Sequence, residues 1–160
     1  MLNRFLPQRI DNTYSGQHLA LWLFALVVTV KIVQSLLAIF NGPFVLVSAD
    51  GIPLDTFTPA GAQTVVAVWA LSGLYRLIIY LLCVLVLVRY RSAIPFMFAL
   101  LALLFLAAEL ILIFIPLVRA GTPAGPFVNR ILFALIIVGL VLSLRNRGGR
   151  HAREESGRTS

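Results

Sequence analysis

Four long apolar runs dominate this sequence and restrict its fold more than any other feature. A hydrocarbon core of about 30 Å needs roughly 20 helical residues, at about 1.5 Å each. The runs meet that length, and we place helices at residues 18–40, 62–88, 94–117 and 127–144. The sequence therefore predicts an all-α polytopic membrane protein: an antiparallel bundle of four transmembrane helices forming one domain at residues 1–144.

The composition supports the same class. Hydrophobic residues make up 60% of the chain and charged residues only 12%, and the mean hydropathy is +0.97. These values lie far outside the range of soluble domains, so the expected partner is the lipid bilayer. The net charge of +7 does not indicate nucleic acid, because the basic residues cluster in short segments between the apolar runs, where topology explains them.

The distribution of arginines predicts the orientation. Nine flank the runs on one side and two on the other. The first set is Arg4, Arg9, Arg89, Arg91, Arg145, Arg147, Arg150, Arg153 and Arg158, and the second is Arg119 and Arg130. Because short cytoplasmic segments carry the excess of basic residues, we expect both termini to be cytoplasmic in a multi-pass protein of the bacterial inner membrane.

The last sixteen residues, 145–160, form a basic, glycine-containing tail without apolar periodicity. Such a composition predicts disorder. Its arginines can also contact anionic lipid headgroups, each at about 1 kcal/mol near the surface.

Helix boundaries carry recognisable signals. Asn41-Gly42-Pro43 should end the first helix, since glycine and proline both disfavour its continuation. The sequence Thr-Pro-Ala-Gly occurs at Thr58 and again at Thr122. Each copy predicts a threonine cap followed by a proline at the first helical position.

The outer loop between the first two helices contains Asp50 and Asp55 and no basic residue. Their spacing matches no metal-binding pattern, so we predict neither a metal nor a cofactor. Asp50-Gly51 is a strong turn signal. A turn is the preferred interpretation, and a cation or partner site is the alternative.

Three ionisable residues fall inside the apolar runs: Lys31, Arg76 and Glu109. A Lys, Arg or Asp at a helix centre costs about 2.5 to 3.5 kcal/mol on insertion scales, so these side chains should face the bundle interior. Their positions along the helices place them in one layer. We predict a buried ion cluster in which Glu109 pairs with Lys31 or Arg76.

Helical spacing adds neighbours to this cluster. Gln34 lies near Lys31 on the first helix, and Ser72 and Tyr80 follow the face of Arg76 on the second. The fourth helix is apolar between Asn129-Arg130 at its start and Ser143. We therefore expect the fourth helix at the outside of the bundle, with lipid around it.

Two interpretations of the cluster remain open. An ion pair fixes helix register more reliably than it stabilises the fold. Alternatively, two cations facing one anion leave a buried surplus charge, which needs a partner or a shifted pKa. An anionic ligand, a lipid or quinone headgroup, or a neutral Lys31 would each resolve it.

Two classes of membrane oxidoreductase are disfavoured. Cys83 is the single cysteine and lies inside an apolar run, so no disulfide exchange is expected. The two histidines, His18 and His151, cannot supply paired axial haem ligands within the bilayer.

The stretches "SADGIPLDTFTPAGAQTVVA" and "LVRYRSAIPFMF" resemble those of small, uncharacterised bacterial four-helix membrane proteins. The chain is also similar in size and layout to DoxX-like proteins. The resemblance implies the four-helix fold and brings no activity with it.

From these features we expect a non-enzymatic accessory or assembly component, acting with a membrane-protein partner or a second copy of itself. One alternative is a small transporter or channel for protons or a small anion, with Glu109 as a protonatable gate. A weaker alternative is a lipid- or quinone-modifying enzyme, for which the sequence offers no recognisable nucleophile, metal set or acid/base pair.

Overall fold

A computed structural model describes residues 16–145 of the chain, and within them all regular structure is helical. The helices are α1 His18–Phe40, α2 Gly42–Ser48, α3 Pro59–Arg89, α4 Ile94–Phe114 and α5 Ala124–Leu144, with 3₁₀ turns at Leu54–Thr56 and Arg91–Ala93. Four of the described helices are long and apolar enough to cross a membrane, as the sequence predicted. The N-terminal arginines and most of the basic tail lie outside the described residues.

The helix bounds follow the local boundary signals. Helix α1 has the predicted ends, and α3 begins at Pro59 rather than at 62 because Thr58 Oγ1 accepts a hydrogen bond from Gly61 N at 3.2 Å. Helix α4 ends at Phe114 rather than at 117, since the residue before Pro116 is disfavoured in the α conformation. The chain therefore leaves the helix at Ile115.

The second predicted threonine cap is wrong. Helix α5 begins at Ala124 rather than at 127, and Pro123, not Thr122, takes the N-cap position without a side-chain hydrogen bond. The proline supplies a fixed φ of −67° ahead of the helix. Identical tetrapeptides thus start α3 and α5 in different registers.

The two ends of the bundle are distinguished by backbone hydrogen bonds. At the terminal side, where the chain enters α1 and leaves α5, Gln17 N donates to Leu142 O at 3.4 Å. At the loop side, Ala120 N donates to Gly51 O at 2.7 Å, and Gly125 N donates to Ala49 O at 2.8 Å. The two loop-side connections are therefore joined to each other.

The predicted Asp50-Gly51 turn is confirmed. Gly51 has a φ of +70°, which glycine adopts without the penalty that a Cβ imposes. A Cβ there would also approach Ala120 O to 2.8 Å. This turn needs glycine both for its backbone conformation and for contact with the opposite connection.

Helix α1 occupies the centre of the packing. It contacts α3 and α5 along much of its length, and α4 packs mainly on α5. Helices α3 and α4 touch only slightly, although a short turn joins them. The expected peripheral position of the fourth helix is therefore wrong: α5 packs between α1 and α4, and the bundle is open between α3 and α4.

The core fills the terminal half of the bundle. Phe24 and Phe98 are fully buried and meet edge to face, with ring centroids 4.9 Å apart. Gly139 lets α5 approach this pair, since a Cβ there would collide with Phe98 Cζ. The buried residues of α4 end at Ala102. The loop half of α4 thus contributes no residue to the buried core.

Candidate functional site

A cavity of about 830 Å³ occupies the loop half of the bundle and is lined by all four long helices. Its size falls within the range of small-molecule sites. Val27, Leu101 and Ile136 line it and also belong to the buried core. They form its floor, and the packed core separates the cavity from the terminal side.

The three ionisable residues singled out in the apolar runs, Lys31, Arg76 and Glu109, all line this cavity. At about 1.5 Å per residue, each lies roughly 20 to 23 Å from the terminal-side end of its helix. Their similar heights follow directly from their positions in α1, α3 and α4. The sequence thus predicted their common layer, but their contacts differ from those expected.

Lys31 bonds to α5. Its Nζ donates to Asn129 Oδ1 at 2.7 Å, and the side chain is partly buried. A neutral amide oxygen satisfies one donor of the ammonium group but does not neutralise its charge. Among the described residues Lys31 therefore has a neutral hydrogen-bond partner and no carboxylate partner at the cavity wall.

The guanidinium of Arg76 is only partly hydrogen-bonded. Its Nε donates to Ser72 O at 3.1 Å, and its Cζ lies 4.9 Å from the ring centroid of Trp69. These contacts fix the guanidinium against α3. Its Nη2 is buried and has no hydrogen-bond acceptor among residues 16–145, and the same is true of Trp69 Nε1. Two buried donors on one helix face thus lack an acceptor among the described residues, and both belong to side chains that line the cavity.

Glu109 departs from the prediction of a buried ion pair. It is exposed, and across the described residues it forms no ion pair with Lys31 or Arg76. The reason is the course of α4, whose loop half leaves the packed core after Ala102 and scarcely contacts α1 or α3. Glu109 faces the cavity from this separated wall.

The expected neighbours of the cluster divide into two groups. Ser72 and Tyr80 line the cavity beside Arg76, as the spacing on α3 predicted. Gln34 is partly buried but does not line the cavity. Asp55 is exposed in the turn Leu54–Thr56.

Asp50 lines the cavity in addition to forming the turn that was the preferred interpretation of the sequence. Burial raises the pKa of its carboxyl above the usual range, and the charges of Arg119 and Arg76 oppose that rise. A Cβ on Gly125 would lie 2.9 Å from Asp50 Oδ1, so the carboxylate sits against the start of α5. Docking of the two loop-side connections brings it there.

The lining carries a surplus of positive charge. Four cationic side chains, Lys31, Arg76, Arg119 and Arg130, face two acidic ones, Asp50 and Glu109. Arg119 and Arg130 had been interpreted only as topology signals. The available clue was the Asn129-Arg130 pair, which lies about as far from the terminal-side end of α5 as Glu109 lies from the terminal-side end of α4.

The fold and this site define a class: an all-helical protein with four potential membrane spans and a cationic cavity closed at one end. Comparison of the chain with protein-family models, curated proteins and solved structures finds no match. The resemblance to bacterial four-helix proteins therefore stays a prediction, and function must be inferred from the cavity.

Proposed function

We propose that this protein is a non-enzymatic membrane component that binds an anion in its loop-side cavity. The observation that carries the proposal is the buried, unsatisfied Nη2 of Arg76, beside the equally unsatisfied Nε1 of Trp69. Hydrogen bonds to charged groups contribute about 1.5 to 3 kcal/mol to stability. A buried donor that has no acceptor costs about 1 to 3 kcal/mol, and more when the donor is charged. An anion accepting from both donors would remove that cost.

Electrostatics favour the same ligand charge. The cavity combines four cations with two acids, and the acid within the spans, Glu109, forms no ion pair in the described part of the chain. Surrounding hydrocarbon weakens dielectric screening, so attraction for an anion is stronger here than at an aqueous surface. If the cluster served only to form an ion pair between helices, the unsatisfied Nη2 donor of Arg76 would have no explanation.

The direct test uses the two tryptophans as reporters. Trp69 lines the cavity, whereas Trp22 is 76% exposed and does not. In a Trp22→Phe protein the fluorescence comes from Trp69 and therefore reports on the cavity. A Trp69→Phe protein, which keeps Trp22, is the matched control. In detergent solution the fluorescence of each is titrated with iodide, an anionic quencher, and with caesium, a cationic one.

We expect iodide to quench Trp69 saturably and caesium to quench it weakly, with no saturation for Trp22. Arg76→Gln should weaken the apparent iodide affinity about tenfold, the equivalent of about 1.4 kcal/mol. Arg130→Gln provides a second variant. Arg130 is exposed, so its substitution should leave the fold of the protein intact. Equal, unsaturable quenching of Trp69 by both ions would refute anion binding.

The orientation belongs to the same proposal. With both termini in the cytoplasm of a bacterial cell, the loop side faces outward, and the cavity draws its ligand from the outer half of the inner membrane. Cys83 is buried, so a Cys83→Ser background allows single cysteines at Asp55 and Arg145 to be labelled. We expect reagent in the periplasm to label only the first; labelling of both from that side would contradict the four-span topology.

Transport of protons or a small anion is the second candidate function. The observation that favours it is the exposed Glu109 carboxylate in a cavity that also holds Lys31 and Arg76. The closed floor means that transport would need a conformational change. Chloride and proton flux in liposomes should be absent for pure binding, and Glu109-dependent flux would establish transport instead.

A further inference from the structure

The opening between α3 and α4 bears on what kind of anion the cavity receives. Both helices line the cavity, yet they touch only slightly, while α1 and α5 pack together on the other side. Within the spans, the gap therefore faces the position of the surrounding lipid. A ligand can reach the charged layer from the side, through this gap.

The two walls of this opening differ in chemistry. On α3 the lining face carries Trp69, Ser72, Arg76 and Tyr80, together with the apolar Ile79. On α4 it carries Leu101, Leu104, Phe105, Ala108, Ile111 and Leu112, with Glu109 as its one charged member. The α4 positions recur at three- and four-residue intervals, so they form one apolar stripe along the helix.

A small hydrated anion matches only half of this site. It would satisfy the donors of α3, but it would make no apolar contact with the stripe of α4 that lines the same cavity. An amphiphile satisfies both walls. Its head accepts from Arg76 and Trp69, and its hydrocarbon chain lies along α4 and leaves through the gap.

We propose that the occupant is a lipid-type amphiphile with an anionic, phosphate-like head. This inference rests on the proposed anion-binding function and specifies its ligand class. The charge complementarity comes from the surplus of cations in the lining. The chain position comes from the apolar stripe and from the slight contact between α3 and α4.

The test again uses the Trp22→Phe protein, reconstituted with lipids whose acyl chains carry bromine, a contact quencher. Brominated phosphatidylglycerol is compared with brominated phosphatidylcholine at equal mole fraction. We expect the anionic lipid to quench Trp69 with about tenfold higher apparent affinity. Excess inorganic phosphate should not displace it, because phosphate cannot replace the chain contacts.

Two adjacent alanines provide a matched pair for the chain position. Ala108 lines the cavity and Ala107 does not, and both are exposed on α4. Ala108→Phe should narrow the gap and reduce quenching by the brominated anionic lipid several-fold, while saturable iodide quenching persists. Ala107→Phe should leave both signals unchanged.

The outcomes separate the two proposals. Saturable iodide quenching without preference for the anionic lipid, or displacement of that lipid by inorganic phosphate, would identify a water-soluble anion and overturn the lipid inference alone. Equal effects of Ala108→Phe and Ala107→Phe on lipid quenching would overturn the chain position. Loss of both the iodide and the lipid signals would overturn the proposed function as well.

Discussion

Lys31 Nζ donates to Asn129 Oδ1 at 2.7 Å, and this bond joins the charged layer of α1 to the start of α5. The partner of the lysine is thus a neutral amide rather than the carboxylate of Glu109. The consequence is a cationic layer whose charge is not cancelled within the described chain. Anion binding in the cavity depends on that surplus.

The Lys31–Asn129 bond should be measurable by a double-mutant cycle with Lys31→Met and Asn129→Leu. Side-chain hydrogen bonds between membrane helices contribute about 0.6 kcal/mol on average and up to about 1.7 kcal/mol. We expect a coupling free energy in that range for unfolding in mixed micelles. The same cycle between Lys31 and Thr64 should give no coupling, because the Thr64 hydroxyl bonds to Ala60 O. Coupling between Lys31 and Thr64, or a lack of coupling between Lys31 and Asn129, would contradict the Lys31–Asn129 bond.

The two Thr-Pro-Ala-Gly sequences should respond differently to the same substitution. Thr58 caps α3 through Gly61 N, so Thr58→Ala should lower the free energy of unfolding by about 1 kcal/mol. Thr122 makes no such cap at the start of α5, and Thr122→Ala should be close to neutral. Equal losses in urea or micelle titrations would show that both threonines cap their helices.

Gly139 should tolerate no side chain while Phe98 is present. Gly139→Ala forces its Cβ onto a buried ring that is already fixed against Phe24, and overpacking of this kind costs about 1 to 3 kcal/mol. Phe98→Leu should recover part of the loss, because it removes the obstructing ring atoms. If the losses of stability from Gly139→Ala and Phe98→Leu simply added in the double variant, a direct clash between the new Cβ and the Phe98 ring would be contradicted.

Asp50 should make both anion affinity and stability depend on pH. Its pKa is raised by burial, so its folded form binds more protons, and its contribution to stability is present at low pH and lost as pH rises through that raised pKa. Protonation also removes a negative charge near Arg119 and Arg76. We therefore expect iodide affinity to increase on acidification.

The cavity also contains Lys31, Arg130 and the second acid, Glu109, so the profile is best recorded in a Glu109→Gln background. Asp50→Asn in that background should bind iodide more tightly at neutral pH and lose the pH dependence. A pH dependence that survives Asp50→Asn would assign it to another group.

The sequence predicted features that depend on position along a single helix. The end of α1 follows from Asn41-Gly42-Pro43, and the common height of Lys31, Arg76 and Glu109 follows from their distances to the helix ends. Both are properties of local chemistry and of the 1.5 Å rise.

Features that depend on the choice of neighbouring helix were not predictable. A short turn joins α3 to α4, yet these helices separate, and Glu109 is carried away from the cations. Asn129 becomes the partner of Lys31 only because α5 packs beside α1. Asp50 enters the cavity through contacts between two connections distant in sequence, which no local pattern encodes.

The position of a bound anion is the most direct test of the central claim. Crystals grown in bromide would reveal bound anions by anomalous scattering, and any lipid retained from the membrane would appear as density. We expect bromide or an anionic headgroup within hydrogen-bond distance of Arg76 Nη2 and Trp69 Nε1. Density showing only water or hydrocarbon at these donors, with every bromide outside the cavity, would contradict anion binding.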